Sequence, residues 1–118
     1  MKKNRESGFT LIELLIALFV LTVALLAIST MVYSVMNSTS LSKEASTATT
    51  LMQDKMESLK HAPVSSLTSG SETIPVENVN YLRQWSVAAS GNTRTITVTV
   101  NWTSRGPHTV TMTTLRGE

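Results

Sequence analysis

The sequence predicts an α+β protein: one long N-terminal helix followed by a small antiparallel β-sheet. Three observations predict it. From Leu14 to Met36 there is no charge, no Pro and no Gly. From Ser42 to His61 apolar residues recur at spacings of three and four, as on one face of a helix. Beyond Pro63 the period falls to two, with Gly- and Asn-bearing turns between the alternating stretches.

The apolar run is long enough to cross a bilayer, since about 20 apolar residues span the hydrocarbon core as a helix. It exceeds the usual apolar region of a cleaved secretory signal, about 7–15 residues, and no A-x-A site follows it. An ordinary single-pass anchor explains its length and its basic flank but not the carboxylate Glu13 at its start. Of the chain's 118 residues, about 80 remain beyond the run. So few residues bury little surface, and packing of the sheet on the helix is expected to supplement the core. With no Cys, neither a disulfide nor a Cys-ligated metal is available.

The net charge of +2 resides in the first residues. Lys2, Lys3, Arg5 and Glu6 together supply all of it, and from Phe9 onward basic and acidic residues balance. A basic isoelectric point therefore gives no reason to expect a nucleic-acid partner. Lys and Arg before a span favour the cytoplasmic side, so the N-terminus is expected inside and the C-terminal part translocated.

The helical pattern continues past the apolar run. Asn37-Ser-Thr-Ser-Leu-Ser42 is a patch of weak helix formers and is expected to meet the membrane surface and to fray. Then Ala45, Ala48, Met52, Met56 and Leu59 form a stripe with Leu51 beside it, and Lys43, Glu44, Gln53, Asp54, Glu57 and Lys60 lie mostly off it. The methionines read as core filler. Pro63 closes the helix, which is expected over about Phe9–His61.

Residues 63–71 read as a loop. Glu72–Val76 is a candidate short edge strand, given Pro75. Tyr81, Arg83, Trp85 and Val87 alternate with Leu82, Gln84 and Ser86, and Ser90-Gly91-Asn92 turns the chain. Ile96, Val98, Val100 and Trp102 alternate with Thr95, Thr97 and Thr99, which is the clearest strand pattern. Ser104-Arg105-Gly106-Pro107 turns back into a strand carrying Val110 and Met112 on one face and Thr109, Thr111 and Thr113 on the other. A meander results, its apolar face set against Ala48, Met52, Met56 and Leu59.

Gly8-Phe9-Thr10-Leu11-Ile12-Glu13, placed between a basic leader and an apolar run, resembles the prepilin leader motif of type IV pilins and type II secretion pseudopilins. The resemblance implies cleavage between Gly8 and Phe9 by a prepilin peptidase that also N-methylates Phe9. It implies that Glu13, at the family's hallmark position, registers one subunit against the N-terminal amine of another. The segments then read as leader 1–8, transmembrane and filament-core helix 9–36, amphipathic continuation 37–62, and sheet domain 63–118, in the ladle shape of pilins. No Pro or Gly falls within Phe9–His61, so the Pro found in many major pilins is absent.

The stretch Leu51-Met52-Gln53-Asp54-Lys55-Met56-Glu57-Ser58-Leu59-Lys60 and the strand pattern resemble PilV-like minor pilins and the minor pseudopilin I of type II secretion. The implied function is that of a minor pilin assembling the start or tip of a type IV pilus. The alternatives are a type II secretion pseudopilin or a filament-borne binding subunit for DNA uptake or adhesion. The implied partners are other pilins or pseudopilins, the prepilin peptidase, an inner-membrane assembly platform and the inner membrane itself.

No catalytic constellation is visible. His61 and His108 stand apart, there is no metal-ligand spacing, and no cofactor is expected. Trp85 and Trp102 read as sheet core, with a ligand-stacking pair as the rival. An Arg83, Arg94 and Arg105 cluster is what DNA binding would require.

Overall fold

The computed structural model describes residues 8–117, and Lys2, Lys3, Arg5 and Glu6 lie outside them. Helix α1 runs Leu11–His61, followed by a 3-10 turn at Val64–Ser66. Four strands then follow: β1 Gly70–Val76, β2 Val79–Ser90, β3 Thr93–Thr103 and β4 Pro107–Gly117. They form one antiparallel sheet in the order β1-β2-β3-β4. By internal contacts the chain forms two compact units, Met1–Thr39 and Ser40–Glu118.

In the second unit the sheet packs on residues 40–61 of the helix. The buried core is Ala48, Met52, Met56 and Leu59 from α1 with Tyr81, Ile96, Val98, Val100 and Trp102 from β2 and β3. The four helix residues are those the spacing selects, because positions three and four apart share one face. Met52 and Met56 fill the space between helix and sheet as flexible apolar side chains can. β3 is the central strand of this core, with Ile96, Val98 and Val100 fully buried.

The strand boundaries differ from the sequence reading in two places. β1 begins at Gly70, two residues earlier than expected, because Gly70 pairs with Trp85 across the ladder. A Cβ at Gly70 would lie 2.6 Å from Trp85 Cζ2, so the indole occupies the space a side chain would need. β2 begins at Val79, because the β1–β2 hairpin closes over two residues, Glu77 and Asn78. That turn carries no Gly. Glu77 takes φ +54 instead, a conformation that is uncommon for a non-Gly residue, so the usual turn signal is missing from the sequence.

The β2–β3 turn is the expected one. Gly91 has φ +57 as the first of two turn residues, Gly91 and Asn92. A two-residue hairpin turn with Gly leading is the arrangement whose twist matches the strands. Pro75 lies on β1, an edge strand, where a missing N–H is tolerated.

Several polar contacts tie the helix to the sheet, Lys55 Nζ to Glu72 Oε1 at 3.4 Å among them. Arg83 Nη1 donates to the Leu51 carbonyl at 2.8 Å, and its Nε donates to Glu72 Oε1 at 3.0 Å. Glu44 accepts from Trp102 Nε1 at 3.3 Å and from Ser104 Oγ at 2.9 Å. Arg116, near the end of β4, donates to the carbonyls of Leu59 and Ala62 at 3.2 and 2.5 Å. These carbonyls belong to the last turn of the helix, where intrahelical donors run out, so Arg116 caps the helix from the sheet.

Candidate processing and assembly site

The motif residues sit at the start of α1. Gly8, Phe9 and Thr10 precede the helix, and Thr10 is its N-cap. The Thr10 carbonyl accepts from Leu14 N at 3.2 Å, and the Thr10 hydroxyl accepts from Glu13 N at 3.3 Å. Thr10-Leu-Ile-Glu13 thus has the spacing of a capping box, in which a Ser or Thr cap is followed three residues later by Glu or Gln. This explains why the helix begins at Leu11 and not at Phe9. The signal was readable in the sequence as T-x-x-E and is independent of any tertiary contact.

Glu13 falls in the first helical turn, where a carboxylate meets the positive end of the helix dipole. That local effect is worth roughly 0.3–1 kcal/mol. The side chain is exposed, as are residues Gly8 and Phe9, the latter at 86%. Among the described residues, nothing lies within 4 Å of where a Cβ on Gly8 would sit. Packing against the described residues therefore does not call for glycine at residue 8.

From Leu11 to Met36 every residue is exposed, including Leu11, Leu15, Phe19, Leu26, Met31 and Met36. The helix is long and apolar enough to cross a membrane. Several of its hydroxyls are bonded to the helix's own carbonyls. Ser29 donates to the Leu25 carbonyl at 2.8 Å, Thr30 to Ala27 at 2.8 Å and Thr39 to Val35 at 2.9 Å. Thr22 donates likewise to Leu18. Such back-bonding removes the need for water at these side chains, which is what a hydrocarbon surrounding demands. The sequence reading tolerated these residues without supplying that reason.

The weak patch 37–42 is helical throughout. Ser40 donates to Glu44 Oε1 at 3.3 Å, one turn on.

The other sequence candidates are separated by the fold. Trp102 is buried and stacks on His108 with ring centroids 5.2 Å apart. Trp85 faces Val98 across the ladder, four residues along β3 from Trp102. Four residues of strand are roughly 13 Å, so the indoles form no stacking pair. Trp85 instead donates to the Thr68 carbonyl at 2.9 Å, and Lys55 Nζ lies 3.6 Å from its ring centroid. The arginines are likewise apart: Arg83 is mid-β2, Arg94 opens β3 and Arg105 lies in the turn after β3 ends. Among the described residues no group of His, Asp or Glu could hold a metal ion.

Residues 3–29 match the family model described as the prokaryotic N-terminal methylation motif. No curated protein and no solved structure matches the chain. The matched segment contains Gly8, Phe9 and Glu13 and the first part of the apolar helix. Together with the long helix packed on an antiparallel sheet, it supports a type IV pilin-like or pseudopilin-like protein, with membrane anchoring and assembly alongside other such subunits.

Proposed function

We propose that this chain is a minor pilin, a structural subunit that helps initiate or tip a type IV pilus. It is cut between Gly8 and Phe9 and N-methylated on Phe9. It is then held in the inner membrane by residues 9–36, N-terminus inside and sheet domain in the periplasm, until it is drawn into the filament. The observation that carries this reading is the methylation motif set directly on an exposed, uncharged helix. Gly8 supports it: a glycine that packing among the described residues does not require is one that an outside enzyme would read.

Glu13 has the assembly role. A carboxylate within the apolar span is costly, up to roughly 2.5–3.5 kcal/mol at its centre on insertion scales, and Glu13 near its start bears part of that cost, so a compensating partner is favoured. Cleavage creates one, the amine of Phe9 on a neighbouring subunit. Removing one member of such a buried pair costs about 3–5 kcal/mol, because the other charge is left bare. In the filament the exposed apolar surface of 9–36 exchanges lipid for neighbouring helices.

The test is a pair of variants in the native host. Gly8→Asp should abolish the size shift of leader removal, while Glu13→Ala should be processed normally yet be depleted from sheared filaments. Normal processing of Gly8→Asp would refute the cleavage site, and normal incorporation of Glu13→Ala would refute the charge pairing. Adjacent pilus genes, as opposed to secretin-linked secretion genes, would favour the pilus over a type II secretion pseudopilus.

A further inference from the structure

The sheet has two faces of unlike chemistry. Every charged residue within the described strands points to the helix side: Glu72 on β1, Arg83 on β2, Arg94 on β3 and Arg116 on β4. The opposite face carries none across all four strands and is dominated by threonine. About a quarter of residues in ordinary domains are charged, so a solvent face without any is a departure.

Over β3 and β4 and at Gln84, its polar groups are engaged with one another. Thr97 and Thr113 hydroxyls lie 3.2 Å apart, as do those of Thr99 and Thr111. Asn101 Nδ2 donates to Gln84 Oε1 at 3.3 Å, and Thr109 donates to Asn101 Oδ1 at 2.7 Å. Covering such a face strands few unpaired donors, and leaving buried donors unpaired is the main cost of burying polar groups.

We infer that this threonine face docks against the same face of a second copy of the chain. The face lacks the cations that a phosphate backbone or anionic headgroup would need. It also lacks aromatic platforms for bases, since both tryptophans belong to the inner side of the sheet. Self-association brings no like charges together, the usual penalty when a surface meets its own copy. From strand spacing and rise the footprint is roughly 600 Å² per copy. The pair then reaches about 1,200 Å², the lower end for specific interfaces.

The direction of the chains is also compatible. Glu44 meets Ser104 just before β4, and Leu59 meets Arg116 near its end, so residues 44–59 of α1 and β4 run the same way. A two-fold axis along that direction joins the outer faces and keeps residues 44–59 of the two copies parallel.

The chain has no Cys, so one introduced thiol reports cleanly. Full-length Thr111→Cys, in membranes and in detergent, is treated with a short bis-maleimide. Asp54→Cys, on the exposed side of the helix, is the control. Thr111→Cys should give about tenfold more dimer than the control. Adding Thr97→Lys should cut the yield by about tenfold through like-charge repulsion, whereas Thr97→Val should leave it unchanged and report that the fold tolerates the site. Equal yields from Thr111→Cys and Asp54→Cys, crosslinks to a different subunit only, or indifference to Thr97→Lys would each overturn the inference. Because the readout needs neither cleavage nor filaments, it stands or falls separately from the processing test.

Discussion

Arg83→Met is the substitution that tests how the sheet is held on the helix. The Arg83 side chain is 12% exposed and reaches Leu51 on α1 and Glu72 on β1 at once. Hydrogen bonds involving a charged group contribute roughly 1.5–3 kcal/mol each, but Glu72 is 39% exposed and keeps Lys55 at 3.4 Å, so its share must be discounted. We expect a total loss of about 2 kcal/mol, mostly from the orphaned Leu51 contact and the half-buried carboxylate. For a domain of this size that is roughly 10 °C in Tm, measured by circular dichroism in detergent.

A double-mutant cycle with Glu72→Gln should show coupling between the two side chains at neutral pH. The Arg83 guanidinium holds the Glu72 carboxyl below its ordinary value, with Lys55 adding to the effect and burial opposing it. A depressed carboxyl contributes stability above its unfolded value and loses it as the pH falls through the folded one. The coupling should therefore be full at pH 7 and fade in acid below about pH 4. A loss under about 0.5 kcal/mol, within the range of ordinary surface changes, would refute the reasoning, as would additive single mutants at pH 7.

Three further outcomes are expected. Gly70→Ala should destabilise by about 1–3 kcal/mol, the cost of overpacking, because the Trp85 ring is pinned by Thr68 and Lys55 and cannot swing away; denaturant unfolding followed by Trp fluorescence would show an unchanged midpoint if this is mistaken. Arg116→Ala should leave the sheet formed but release the end of α1, seen as faster amide exchange at residues 58–62; unchanged exchange there would deny Arg116 a capping role. Amides at 37–42 should exchange faster than those at 48–59, since they have weak helix formers and no sheet packed over them; strong protection at 37–42 would remove that patch as a point of fraying.

What was legible in the sequence was whatever physics acts over a few residues. The apolar run, the stripe Ala48, Met52, Met56 and Leu59, the stop at Pro63 and the alternation in 96–102 each depend on a local period or a single residue's backbone preference. The Thr10 cap was equally local and could have been read from its spacing to Glu13. The motif Gly8-Phe9 with Glu13 was legible because it is a short contiguous pattern, lying within the matched residues 3–29.

Only the tertiary structure decided which charged side chains hold the fold. Glu44 looks like an ordinary solvent-facing helix residue until β3 brings Trp102 and Ser104 to it across about 60 positions of sequence. Arg116 caps a helix whose following residue, Ala62, lies 54 positions earlier. Arg83, Arg94 and Arg105 could have formed a basic patch, and strand register instead placed them far apart. The T-x-T runs were visible in two segments, but that their threonines share one uncharged face across four strands follows from antiparallel pairing, which sets residues distant in sequence side by side. Local periodicity determines which elements form and which face is apolar; the register between elements determines which polar side chains meet.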